Sequence, residues 1–129
     1  MINHIFKKWE PVSGIPNKIF LEALHDDYEG FRLLFKGANN HDKILRILFR
    51  TTLVYRNIDE GDIVETLKNS DGLSNGCLYT LEKSDLIEFF HKQNYGSYKS
   101  STISHYAFYT PNDCIEVLSE FPPKVEWLN

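Results

Sequence analysis

The segment KILRILFRTTLVYRN, residues 43–57, carries two interleaved alternations. Leu45, Ile47, Phe49, Leu53 and Tyr55 share one parity. Arg46, Arg50 and Arg56 share the other with Ile44, Leu48, Thr52 and Val54. A period of two is the signature of a strand, and the β-branched pair Thr51–Thr52 weighs against a helix. At about 3.3 Å per residue the strand is long, so a bend or bulge is expected within it. The arginines could form a basic stripe for an anionic ligand. The apolar residues sharing their parity favour a partly covered face, where the arginines pair with acidic neighbours.

Upstream, KIFLEALHDDYEGFRLLFKG (18–37) reads as a β-hairpin. Ile19, Leu21 and Ala23 alternate on the way out, and Phe31, Leu33 and Phe35 on the return. Between them HDDYEG supplies turn formers and ends in Gly30, which tolerates positive φ. A second turn, GANNHD (37–42), leads into the long strand.

Downstream, IDEGDIVETLKN (58–69) is expected to be a short helix with an acidic start, where carboxylates face the partial positive charge of the helix end. CLYTLE (77–82) reads as a strand. SDLIEFFHKQNYG (84–96) reads as a helix with Ser84 as N-cap and Gly96 just past its end. ISHYAFY (103–109) is a strand. TPNDCIEVLSEF (110–121) carries the strongest local helix signal, with Thr110 as N-cap, Pro111 in the first turn and Asp113 at capping-box spacing; Pro122–Pro123 ends it. KVEWLN closes the chain as a strand.

Connections between the first three strands are too short for parallel crossovers. The expectation is one α+β domain over residues 1–129: a mainly antiparallel β-sheet of about five to six strands, with two to three short helices packed on it. The 129 residues suffice for a core without metal or disulfide staples. Cys77 and Cys114 are too few for a disulfide framework and are expected reduced in a cytoplasmic protein. MINHIFKKWEPVSG has no apolar core of a signal peptide, and no apolar run reaches the roughly 20 residues of a membrane span.

Net charge is −4, from 18 acidic and 14 basic residues. That balance points away from a nucleic-acid binder, whose affinity comes from neutralising phosphates, and toward a basic partner. The carboxylates cluster in two places: Asp26, Asp27 and Glu29 around Tyr28, and Asp59, Glu60 and Asp62 around Gly61. The second cluster fails as a calcium loop, because Gly61 comes too early and Ile63, Val64 and Thr66 stand where oxygen ligands are needed. A hairpin tip splays its side chains, which does not suit a metal. Both clusters read either as local helix-start or turn chemistry, or as partner surface. An aromatic among carboxylates suits an interface meeting Arg or Lys.

The five histidines, His4, His25, His41, His91 and His105, form no metal-binding pair. His105, on a strand between Ser104 and Tyr106, is the one expected to be well ordered; as a general base it would need an orienting carboxylate and a nucleophile such as Cys77 or Cys114, and nothing in the sequence places either cysteine beside it. The loop NYGSYKS (94–100) holds Tyr95, Tyr98 and Lys99, either as surface or as a protein contact. No phosphate-binding glycine loop or serine-hydrolase elbow is present. No catalytic residue, cofactor or metal is therefore assigned. A small enzyme using His105 or a cysteine and a general interaction adaptor stand as alternatives to a dedicated binding protein.

In this order, DDYEGFRLLFKG, ILRILF…YRNIDEGD and HYAFYTPNDCIEVLSEFPPKVEWL resemble small bacterial cytoplasmic proteins of the immunity type. These are the protective halves of toxin–immunity pairs in polymorphic-toxin and contact-dependent inhibition systems. The resemblance covers most of residues 9–128 and rests on overall pattern, so it carries no site residue over. It implies a non-enzymatic inhibitor that binds one cognate toxin domain, often a basic nuclease. Asp26, Asp27, Tyr28, Glu29, Asp59, Glu60 and Asp62 are then the expected partner-binding surface.

Overall fold

The long alternating run is not one strand. In the computed structural model, which describes residues 3–39, 42–68, 70–73, 76–97 and 103–128, it divides into β4 (Ile44–Phe49) and β5 (Val54–Asp59). The two lie in different sheets. The expected bend is thus a full crossing at residues 50–53. It is held by the Leu53 N–H donating to the Leu118 carbonyl at 2.9 Å, and by the buried Ser119 hydroxyl 2.9 Å from the Thr51 carbonyl.

The remaining elements are β1 (His4–Lys8), β2 (Phe20–Asp27), β3 (Gly30–Lys36), a 3-10 turn (Glu60–Asp62), α1 (Val64–Lys68), β6 (Ser70–Asp71), β7 (Leu78–Lys83), α2 (Asp85–Gln93), β8 (Ser104–Tyr109), β9 (Asp113–Ser119) and β10 (Lys124–Leu128). A six-stranded sheet runs β5-β9-β8-β7-β1-β6, and a four-stranded sheet runs β10-β4-β3-β2. The β1–β6 ladder is parallel, and the other ladders among the described residues are antiparallel. The expected single sheet of five to six strands is therefore two sheets, and β1 and β6 are strands that the sequence did not announce.

The third expected helix, at 110–121, is corrected to the β8–β9 hairpin. Thr110 does accept an N–H three residues on, from Asp113 at 2.8 Å, as an N-cap would. But the Thr110 N–H donates back to the Asp113 carbonyl at 2.8 Å, which closes a tight turn. β9 then sits between β5 and β8 with both faces covered, so its sequence is a continuous apolar run interrupted at Glu116. The expected helix at 58–69 is present in part, as the 3-10 turn and α1. The expected helix at 84–96 is α2, with Ser84 Oγ accepting the Ile87 N–H at 3.1 Å.

The sheets pack face to face. Phe31, Leu33, Phe35, Leu45, Ile47 and Phe49 of the smaller sheet meet Leu78, Tyr106, Phe108, Ile115 and Val117 of the larger one. Rings interlock across the gap, with Phe35–Phe108 centroids 5.7 Å apart and Phe49–Tyr106 at 5.5 Å. Each such buried side chain contributes about 1.5–3 kcal/mol. The far face of the larger sheet is covered too. There α2 lays Leu86, Ile87 and Phe90 on Leu118, beside a second cluster of Phe6, Tyr79, Leu81 and Ala107.

Candidate functional site

The two carboxylate clusters sit on different sheets. The β2–β3 hairpin ends in a two-residue turn at Tyr28–Glu29, followed by Gly30 at φ 108°. Asp27 organises this tip. Its Oδ1 accepts the Glu29 N–H at 2.9 Å and the Arg32 Nη1 at 2.8 Å, while Arg32 Nη1 also lies 3.8 Å from Glu29. The Arg32 guanidinium, together with the Glu29 N–H, holds the Asp27 carboxyl below its ordinary value. Asp27 is therefore spent on the turn. Tyr28 is not: its side chain is 96% exposed. Asp26 and Glu29 are exposed beside it.

At the other cluster, Asp59 ends β5 and its Oδ1 accepts the Gly61 N–H at 2.9 Å, which bends the chain into the 3-10 turn. Asp62 is exposed at the end of that turn. Glu60 has its backbone in the turn, and its side chain lies outside the described ones.

Register ties the two clusters together. Asp26 pairs with Phe31, so the two side chains share the inward face of the smaller sheet. The Phe31 ring lies 4.4 Å from that of Tyr55 on β5. Tyr55, Asn57 and Asp59 share one parity of β5, and all three are exposed. Tyr55 thus packs on the buried Phe31 ring, which sets the β2–β3 hairpin, with Asp26 at the register position of Phe31 and Tyr28 at its tip, against the strand that ends in Asp59. From Tyr55 to Asp59 along the strand is about 13 Å.

A second, buried set of polar side chains lies between the larger sheet and α2. His105 is fully buried, and Ser84 and Glu116 are each 1% exposed. Ser84 Oγ is 2.7 Å from His105 Nδ1, and Glu116 Oε1 is 2.6 Å from His105 Nε2, close though not aligned as a straight hydrogen bond. Ser84 Oγ also accepts the Ile87 N–H at 3.1 Å, and which partner donates in its contact with Nδ1 depends on the imidazole tautomer. Arg56 Nη2 reaches Glu116 Oε2 at 3.1 Å and Asp85 Oδ1 at 3.2 Å, and His4 Nε2 lies 3.2 Å from that same Asp85 oxygen.

Burial by itself raises the Glu116 pKa, but His105 and Arg56 outweigh it and the net direction is down. The same balance, with His4 and Arg56 opposing burial, lowers Asp85. Burial opposes the charge on Arg56, and Glu116 and Asp85 more than restore it. Nearby, the Tyr109 phenol is pushed up, first by burial and then by Glu116.

Ser–His–Glu contacts at these lengths invite comparison with a hydrolase triad, but each member is committed to structure. Ser84 caps α2, His105 bridges strand to helix, and Glu116 neutralises Arg56. The best-formed cavities lie elsewhere. One, about 450 Å³, is lined by Gly14, Pro16, Gly37, Asn39, Asp42, Lys43 and Trp127. Neither cysteine supplies a nucleophile for His105. Cys114 pairs with Tyr109, about 13 Å along β8 from His105. Cys77 lies in the inter-sheet core, its thiol pushed by burial to about 11.

The pairing expected of the strand arginines is present for Arg46, which meets Glu126, and for Arg56. What the sequence did not disclose is Glu116 as the centre of a buried charge network. The lone carboxylate in the apolar run CIEVL becomes a signal only once β9 is known to lie beside β8 and its histidine in HYAFY. Of the loop residues singled out at 94–100, Tyr95 is 97% exposed with φ 55°, while Tyr98 and Lys99 lie outside the described residues, as does His41.

Among the described residues no group of three or more His, Cys, Asp or Glu is arranged to hold a metal ion, and no helix is long and apolar enough to cross a membrane. No protein family, curated protein or solved structure matches the chain.

Proposed function

We propose that this chain is an immunity-type binding protein that blocks a basic toxin domain, with the surface from Tyr28 through Tyr55 to Asp59 as its contact. The observation that carries this reading is the Phe31–Tyr55 ring contact, which sets the hairpin carrying Asp26 and Tyr28 against the strand that ends in Asp59. A standard protein–protein contact buries about 800 Å² per partner. Exposed tyrosine gives large contact area at low entropic cost, and carboxylates around it steer a cationic partner and fix its register. The supporting sequence argument is the net charge of −4. A nuclease-type toxin carries the opposite charge on its substrate face.

The enzyme reading takes its support from the Ser84–His105–Glu116 contacts. It requires a substrate to reach a serine that is 1% exposed and already caps a helix. A general adaptor predicts weak contacts with several proteins.

The test is co-purification of the tagged protein at low salt, followed by titration against the protein recovered. The expected result is one basic partner at 1:1 stoichiometry, released by high salt. Tyr28→Ala combined with Asp26→Ala should weaken that complex by roughly tenfold to a hundredfold without changing the unfolding midpoint. Unchanged affinity would remove this surface from the reading.

A further inference from the structure

We infer that the outer edge of β5 is a strand-addition site for an extended, basic segment of the protein partner. This rests on the binding reading above and names how the partner is held.

Any open sheet edge presents a row of unpaired backbone N–H and C=O groups, and proteins guard such edges against stray pairing. The two sheets have four edge strands, and three are guarded. β6 has two residues. β10 follows Pro122–Pro123 directly and opens with Lys124, whose side chain is 68% exposed. β2 is eight residues long, but its register breaks between Leu21 and Ala23, where the exposed Glu22 sits.

β5 has none of these devices. Its six residues contain no proline and no lysine. Its register against β9 runs unbroken from Val54↔Leu118 to Asp59↔Asp113. Its one cation, Arg56, is turned onto Glu116 and Asp85 and does not guard the edge. A regular, unguarded edge beside the acidic, aromatic face is the geometry that β-augmentation uses: backbone hydrogen bonds supply affinity, and alternate side chains supply selectivity.

The neighbouring side chains define what the incoming strand carries. Tyr55, Asn57 and Asp59 meet it at every second position on one face. Asp59 stands opposite Asp113, with Asp62 shortly after, so that end of the strand is anionic and takes a lysine or arginine. Tyr55 takes an apolar or aromatic residue. A second copy of this chain fits poorly. An antiparallel β5–β5 pair offers Asp59 no cation except Arg56, which is already engaged.

The experiment is amide hydrogen exchange on the full chain, with a strand-length peptide of alternating lysine and valine as probe and its glutamate–valine counterpart as control. Exchange at residues 54–59 should slow by roughly tenfold or more with the lysine peptide and not with the glutamate peptide. Asp59→Asn, which keeps an acceptor for the Gly61 N–H, should reduce that protection. Three results overturn the inference: no slowing at 54–59, slowing concentrated at Phe20–Asp27, or protection that grows with protein concentration without peptide. Each remains distinct from failure of the binding reading, which is scored separately by whether the Tyr28 and Asp26 variants lose the co-purified partner.

Discussion

Glu116 is the residue on which most of the buried electrostatics turns. It is 1% exposed and faces His105 on one oxygen and Arg56 on the other. Removing one member of a buried pair leaves an uncompensated charge, which costs far more than the pair's net contribution. Glu116→Gln should therefore lower stability by about 3 kcal/mol, read as a shift in urea midpoint at unchanged slope. The pH dependence follows from the same contacts. The folded-state pKa values of Glu116 and Asp85 are depressed, so their stabilisation is complete above the unfolded carboxylate values, about 4.3 and 3.9. It is lost as pH falls through the lower, folded values. Wild type should lose stability steeply below about pH 4, and Glu116→Gln should show a shallower acid limb. Equal acid slopes in the two proteins would mean that Glu116 is not a linked group. The sequence could not disclose this site. Glu116 and His105 look alike in isolation to solvated residues, and only the β8–β9 pairing places them side by side.

At the level of elements, the β8–β9 hairpin shows why local chemistry misled. Thr110, Pro111 and Asp113 satisfy the rules for starting a helix, because a side-chain oxygen accepting an N–H three residues on is common to caps and turns. What decides between them is β9's position, central and covered on both faces, which favours β-branched Ile115 and Val117 in an extended chain. Thr110→Val keeps the shape but removes the acceptor that holds the Asn112 and Asp113 N–H groups. It should cost about 1–3 kcal/mol, measured by thermal or urea unfolding. A helix in place of this hairpin would instead tolerate the change with the loss of one cap, and circular dichroism would show the difference. By contrast α2 was legible, because Ser84 as N-cap and Gly96 past its end depend on nothing beyond the helix itself, although its packing face is Leu86, Ile87 and Phe90 while Phe89 is exposed. Ser84→Ala removes both the cap and the His105 contact and should cost about 1–2 kcal/mol.

For the molecule as a whole, the antiparallel character and the hairpin at 20–36 followed from alternation and turn chemistry, but the division into two sheets did not. It depends on which distant strands pair, as β1 does with β7 and β5 with β9, and no local pattern encodes that. The candidate surface shared this limit. Asp26, Tyr28 and Asp59 could be named singly, while what relates their elements, the crossing at residues 50–53 and the Phe31–Tyr55 contact, is tertiary. The core between the sheets belongs to neither alone, so the two should unfold as one cooperative unit. Phe108 is fully buried and meets Phe35, Phe49 and Trp9. Phe108→Ala should cost about 3–5 kcal/mol. Trp9 reports on the larger sheet's ring cluster, while Trp127 lies on β10 in the smaller sheet with its indole N–H donating to the Ser13 carbonyl at 3.0 Å. If the core is shared, the mutation should move tryptophan fluorescence and far-ultraviolet circular dichroism to the same lower midpoint, in single-tryptophan versions carrying either reporter. A midpoint that shifts for Trp9 but stays in place for Trp127 would mean that the sheets melt separately and that the surface spanning them is assembled only on binding.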